Sequence, residues 1–260
     1  EDRVLFNIIT ENVATEEALG ALILGMSLPF FLVFMVALGC FYPAVDTTAG
    51  ERERSTWETL MATSAARLDV VVAKYLYVAT MGVIAGILNV VAMFVSMGAI
   101  MAPLLAGEEE IAFRLPLLSI PVMILGAMVI ALMLSAAMMI LASFARTFKD
   151  GQAMIQPVYI VAVLIPVLVG QQTDQTLSAS LGAIPIANVV MMIRDSINGI
   201  FLWPFIVESL LVNLLVVGLC LLVARWILQF EDFLIGSFDG SFWRFVKDRR
   251  SSRRAAKETA

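Results

Sequence analysis

The sequence predicts an all-α, polytopic membrane protein. Hydrophobic residues make up 60% of its 260 residues and the mean hydropathy is +0.92, which is more apolar side chain than a soluble domain of this length can bury. The apolar residues fall in long runs, and about 20 such residues let a helix cross a bilayer. Histidine is absent and both cysteines lie inside apolar runs. The composition therefore argues against histidine triads, zinc sites, disulfide frameworks and an intramembrane enzyme.

Five apolar runs in residues 18–230 are long enough to span a membrane and predict one transmembrane domain. Residues 1–17 are polar and lack the basic start of a signal peptide, so we interpret them as the end of an external segment with its upstream part missing. Residues 231–260 mix aromatic and basic side chains, which predicts a tail on an anionic leaflet rather than a nucleic-acid site. The expected spans are residues 18–45, 78–101, 117–144, 154–170 and 203–226.

The segment 184–197, IPIANVVMMIRDSI, predicts a short apolar helix that Pro185 starts and Arg194 and Asp195 close. It is too short to cross the hydrocarbon core, so we expect a re-entrant or interfacial helix. In the second span Gly82 and Gly86 form a GxxxG pattern, which lets another helix approach closely.

The polar stretch between the first two spans, residues 50–69, has the clearest pattern in the chain. Thr48 and Glu51 have the spacing of a capping box, with Thr48 as the N-cap of a helix. The helix is amphipathic: Trp57 lies on its apolar side, while Arg54 and Glu58 are spaced to pair on its polar side. Such a helix lies in the membrane interface or docks on a soluble partner, and a solvated loop helix is the alternative.

The distribution of basic residues predicts the orientation. Fourteen of the 17 lysines and arginines lie between Arg52 and Lys74, in residues 145–152 or from Arg225 onward. The positive-inside rule places those segments in the cytoplasm, and five spans then leave the N-terminus outside unless an upstream helix makes six. Ionisable and polar groups inside spans are candidates for a substrate path or for interhelical hydrogen bonds. These candidates are Asn89, Ser135, Gln156, Glu208 and Asn213.

Residues 50–76, GERERSTWETLMATSAARLDVVVAKYL, resemble the first cytoplasmic loop of ABC-2 type permeases, the membrane subunits of ATP-binding cassette exporters. The bacterial sodium-exporter branch is the most similar. Trp57 stands where leucine is usual and Ala65 where proline is common. Residues 145–152 and 184–195 are similar to the second cytoplasmic loop and to the external helical region of that family. The matching loop residues are Gly50, Glu51, Glu53, Arg54, Thr56, Glu58, Thr59, Leu60 and Lys74.

The resemblance implies a membrane subunit of the bacterial inner membrane with six helices, five of them present, and a cytoplasmic C-terminus. It implies a second permease subunit, alike or different, and a separate ATPase that holds ATP and Mg²⁺. This chain has no GxxxxGK[ST] motif and no expected cofactor of its own. It implies export of a substrate, with sodium suggested by the branch; an ion channel or pore subunit without an ATPase is the alternative. The expected ATPase-coupling residues are Glu51, Arg52, Glu53, Arg54, Thr56, Trp57, Glu58, Thr59, Leu60, Arg146 and Lys149.

Overall fold

The computed structural model describes residues 16–104, 116–170 and 182–228, and all regular structure in those ranges is helical. Five helices are long and apolar enough to cross a membrane, which confirms the all-α, polytopic fold class. The expected tail and residues 1–15 of the first segment lie outside the described residues. The helices are α1 (Glu16–Val45), α2 (Glu51–Glu53), α3 (Thr56–Met61), α4 (Arg67–Leu104), α5 (Ser119–Ala142), α6 (Phe148–Gly170), α7 (Ala187–Ile197) and α8 (Trp203–Leu228).

Helix α1 is the centre of the bundle and packs against α4, α5, α6 and α7. Its side chains Leu32, Val33 and Val36 are fully buried. By contrast, α6 and α8 leave most of their membrane-length windows exposed, as expected of helices that face lipid. The helix ends differ from the expected spans. Helix α6 begins at Phe148, within the predicted second loop, and the apolar window of α4 begins at Leu68 rather than at residue 78.

The GxxxG pattern of α4 is where three helices meet most closely. A methyl group on Gly82 would overlap the Sγ of Cys40 on α1, and one on Gly86 would lie 2.7 Å from a methyl of Val36. On the side of α5, a Cβ at Gly82 would lie 3.1 Å from that of Ala131, and one at Gly86 would lie 3.1 Å from that of Ala127. The missing side chains let α4 approach α1 and α5 together, as the pattern predicted.

Helix α7 is a short helix inserted into the bundle, and all 11 of its residues are buried. It packs against α1, α5, α6 and α8, so the structure favours the re-entrant over the interfacial alternative. Gly126 of α5 makes room for it, because a Cβ there would lie 2.9 Å from Val189. Arg194 and Asp195 lie in the last turn of the helix, as expected, and their carbonyls accept hydrogen bonds from Asn198 and Ile200 at its end. Ser119 donates a hydrogen bond to the carbonyl of Ser196 at 2.5 Å.

The predicted capping box at Thr48 is wrong. The chain passes from α1 through a π-helical turn, Asp46–Gly50, directly into α2, so no helix begins at this point. Thr48 is buried and its hydroxyl donates to the carbonyl of Ala44 at 2.6 Å. Threonine inside a helix commonly makes this bond to the carbonyl four residues back. Because the helix continues through Thr48, its side chain has no helix N-terminus to cap.

Candidate functional site

The connecting loop, residues 46–66, joins α1 to α4 and is the candidate site. The single amphipathic helix expected here is divided into α2 and α3 by a turn at Arg54 and Ser55. Ser55 adopts the left-handed conformation (φ 58°, ψ 17°). A residue in this conformation interrupts a right-handed helix. The hydroxyl of Thr56 closes the turn by donating to the carbonyl of Glu51 at 3.1 Å. The loop therefore presents two short helical pieces at an angle set by one residue.

Two ion pairs attach the loop to the helices that it connects. Glu51 pairs with Lys74 of α4, and that ammonium also donates to the carbonyl of Thr47 at 2.8 Å. Arg54 pairs with Asp46 rather than with Glu58 as expected, because the turn at Ser55 removes the helical spacing between those two residues. The Glu51 and Lys74 side chains are only 24% and 10% exposed. This pair is therefore less screened by solvent than a surface pair, and removing one partner would leave the other charge partly buried and unpaired.

The loop is also bonded to the next loop on the same side, residues 143–147. A carboxylate oxygen of Glu53 accepts a hydrogen bond from the backbone N–H of Phe148 at 2.6 Å, at the start of α6. Arg52 donates to the carbonyl of Ala145 at 3.5 Å. These contacts bring together the two segments that the sequence had selected separately. Arg146 and Lys149, both exposed, consequently lie beside the connecting loop.

Trp57 faces the bundle instead of an external partner. It is 8% exposed, and its ring lies 4.5 Å from the Lys74 ammonium and 5.3 Å from the Arg52 guanidinium carbon, both distances taken to the ring centre. These are cation–π distances. Trp57, expected to be an ATPase-coupling residue, therefore leaves little of its surface for a partner. Leu60, expected in the same role, is half-buried.

The outward side of the loop is polar and accessible. We call it the docking face, and it borders the exposed turn of residues 62–66. The face carries both signs of charge and a hydroxyl-bearing helix, α3, which suits a partner recognised by charge pattern and hydrogen bonds more than by apolar area. Its members, all exposed, are Glu53, Arg54, Thr56, Glu58 and Thr59.

The five polar candidates for a substrate path are spread along the bundle. Asn213 is buried and donates to the side-chain oxygen of Asn188 and to the carbonyl of Ser209, both at 2.8 Å. Ser135 donates to Leu132 within its own helix at 3.0 Å, and Gln156 lies on the exposed face of α6.

Glu208 is half-buried and lies against Gly182. The side-chain oxygen of Asn89 is buried and has no hydrogen-bond partner among the described residues. No contact joins the five into one pathway in the described part of the chain, and nowhere in that part do three His, Cys, Asp or Glu residues group to hold a metal.

Two sets of residues that matter here were missed. Asp46 holds the loop, although the sequence indicated only the end of a span there. Lys74, which the sequence marked only as a match to the family's loop, was not expected to pair with Glu51. Asn188 is fully buried and bonds Gly182 and Asn213, although the sequence indicated only part of an apolar helix. The spacing of Asp46 and Arg54 gave no signal for their pairing, because neighbours on a helix surface are three or four residues apart and eight residues of α-helix rise about 12 Å.

Comparison with known proteins gives one distant relative. Over 197 residues the chain is 25% identical to the ABC transporter permease protein NatB of Bacillus subtilis strain 168. The match covers 75% of this chain and 50% of that protein, so the chain spans about half the length of its relative. No known family model matches the sequence, and no solved structure does. The chain is thus similar to an ABC transporter permease over three quarters of its length, and its five membrane-length helices are those of a multi-pass membrane protein.

Proposed function

We propose that this chain is a permease subunit of an ABC-2 type exporter, and that the connecting loop couples it to a separate ATP-binding cassette ATPase. The observation that carries the proposal is the likeness to an ABC transporter permease across three quarters of the chain. The resemblance of residues 50–76 to the family's first cytoplasmic loop supports the ABC-2 assignment. ATP and Mg²⁺ would be held by the ATPase.

The geometry supports a mechanical role for the loop. A force applied at the docking face reaches α1 through Arg54 and Asp46, and α4 through Glu51 and Lys74. It reaches α6 through the bond from Phe148 to Glu53. Closure of an ATPase against this face would therefore move three membrane helices together, which is the rigid-body rocking that alternating access requires. In this proposal the exposed Glu58 and Thr59 meet the ATPase, and Trp57 transmits the force within the chain.

The assembly and substrate follow from the same resemblance. We propose a pair of permease subunits with two ATPases in a bacterial inner membrane, with the connecting loop and the C-terminus in the cytoplasm. Sodium ion is the substrate proposed for export. The basic-residue asymmetry supports this orientation, because arginines and lysines concentrate on the loop side.

The test is co-purification of the cognate ATPase followed by ATP-driven sodium transport in vesicles. Glu58→Lys should reduce ATPase binding or uncouple hydrolysis from transport, because it reverses a charge on the docking face. Asn198→Lys, at an exposed position after α7, is the matched control and should behave like the parent. If the parent chain binds no ATPase and conducts ions without ATP, the channel alternative replaces this proposal.

A further inference from the structure

The break between α2 and α3 has a cost in backbone conformation. Ser55 is left-handed there (φ 58°), which is unfavourable for any residue that carries a Cβ. Its side chain makes no capping hydrogen bond at the start of α3. The hydroxyl of Thr56 occupies the carbonyl of Glu51, which in a continuous helix would accept from the N–H of Ser55. Residues held in such conformations concentrate at segments that switch between forms.

Trp57 adds a second cost to this form of the loop. Its indole Nε1 has essentially no accessible surface and no hydrogen-bond partner among the described residues. Because no acceptor can reach the atom while the ring lies against the bundle, this N–H gains a partner only if the ring moves out. Burial of the ring and its contacts with Lys74 and Arg52 oppose that movement. Favourable packing is therefore set against an unsatisfied donor and an unfavourable backbone.

Arg54 would have an acidic partner whether the loop is broken or continuous. In the described form it pairs with Asp46. In a continuous helix Glu58 would lie four residues further on the same face, the spacing at which opposite charges pair. Arg54 and Glu58 are both exposed, so an exchange of one carboxylate for the other buries no charge.

The chain is long enough to allow a continuous helix. Residues 51–61 would then rise about 15 Å beyond Glu51, at 1.5 Å per residue. Lys74 contacts Glu51, and α4 begins at Arg67, about 10 Å from Lys74 on the same side. With helix axes about 8–10 Å apart, the gap from Met61 to Arg67 would be roughly 11 Å. The extended chain between these two residues spans up to about 20 Å.

We propose that the connecting loop has two forms, which interconvert by a change of conformation at Ser55. The bent form is the one described here, and in the straight form α2 and α3 are one helix. In the straight form Arg54 pairs with Glu58, and Trp57 leaves the bundle. The straight form therefore offers a partner an aromatic side chain that the bent form hides. This inference goes beyond the coupling role and is testable without an ATPase or a substrate.

The test measures the distance between nitroxide labels at positions 62 and 149 by double electron–electron resonance. The chain is in nanodiscs, and alanine replaces both native cysteines. Ala62 is exposed just after α3, and Lys149 is exposed on α6, which stays bonded to α2 through Phe148 and Glu53. The distance therefore reports movement of the end of α3, and we expect two populations.

Ser55 variants should shift these populations in opposite directions. Ser55→Gly favours the bent form because glycine tolerates positive φ, and Ser55→Ala favours the straight helix. The ratio of straight to bent should differ between the two variants by roughly 20- to 150-fold. Ser64→Gly and Ser64→Ala, in the exposed turn that follows α3, are the matched controls and should leave the parent distribution unchanged. A single distance population, the same in Ser55→Gly and Ser55→Ala, would overturn the proposal.

Further variants test the contacts assigned to each form. Asp46→Asn removes the partner of Arg54 in the bent form and should raise the straight population, whereas Glu58→Gln should lower it. Both pairs are exposed, so each change in the ratio should be about twofold. Trp57→Phe keeps a ring and removes the unsatisfied donor, so it should lower the straight population about fivefold or more. Shifts of the same sign in Asp46→Asn and Glu58→Gln would contradict the exchange of Arg54 between the two carboxylates.

Discussion

Removing the Lys74 ammonium should release the connecting loop from α4. Lys74→Met keeps a long apolar stem and deletes the pair with Glu51, the bond to Thr47 and the contact with the Trp57 ring. Breaking a fully buried pair costs about 3–5 kcal/mol. The Glu51 side chain is 24% exposed and can be rehydrated, so we expect about 2–3 kcal/mol, close to one or two hydrogen bonds to a charged group.

Hydrogen exchange of the loop amides measures this release. A loss of about 2–3 kcal/mol in local opening free energy raises exchange over residues 51–61 roughly 30- to 150-fold, since about 1.4 kcal/mol corresponds to tenfold. Lys149→Met, at an exposed lysine on α6, is the control and should leave these amides unchanged. In the double variant Glu51→Gln/Lys74→Met, part of the loss should be recovered because no unpaired carboxylate remains. Equal exchange in Lys74→Met and Lys149→Met would refute the role assigned to this pair.

Three further predictions concern packing, buried polarity and orientation. Gly82→Ala should lower the free energy of unfolding by about 1–3 kcal/mol by overpacking against Cys40, whereas Gly218→Ala, with open space around its Cβ, should be neutral or stabilising; thermal unfolding in detergent compares them. Asn188→Ala should lower the free energy of unfolding by about 1–3 kcal/mol, because Gly182 and Asn213 lose their hydrogen bonds to Asn188. Gln156→Ala, on the exposed face of α6, should change it little in the same assay. A cysteine replacing Arg54 should react with an impermeant maleimide only in inverted vesicles and one replacing Glu109 only in intact cells; the opposite pattern would contradict the proposed orientation.

The sequence was sufficient for the fold class because span length and hydropathy are local properties that the bilayer imposes. The close approach at Gly82 and the short helix α7 were predictable because their signals, a GxxxG spacing and an apolar segment too short to span, are also local. The division of the loop was not, since Ser55 has no side-chain feature that demands a left-handed conformation. The direction of Trp57 depended on cations brought from elsewhere in the chain, above all Lys74, which lies 17 positions further along the sequence.

Buried polar pairs show the same limit. Asn213 was selected as a candidate because an amide inside a span is unusual, but its partner Asn188 lies 25 residues away on a different helix. Hydropathy within each segment does not indicate such a contact. Arg194 and Asp195 were interpreted as a helix end because charges usually mark the limit of an apolar segment. In the structure both lie in the last turn of α7, as expected, but they are buried rather than at the surface.

Site-specific crosslinking tests the proposed coupling role of the loop most directly. A photoreactive benzoylphenylalanine is placed at Glu58 on the docking face, and at Leu211 on the exposed side of α8 as the control, in cells that also produce the cognate ATPase. Irradiation should join the ATPase to the chain from position 58 and not from position 211, with a yield that changes when nucleotide is trapped. Absence of an ATPase adduct from position 58, in protein that is present in the membrane at parent levels, would contradict the assignment of the connecting loop as the coupling element.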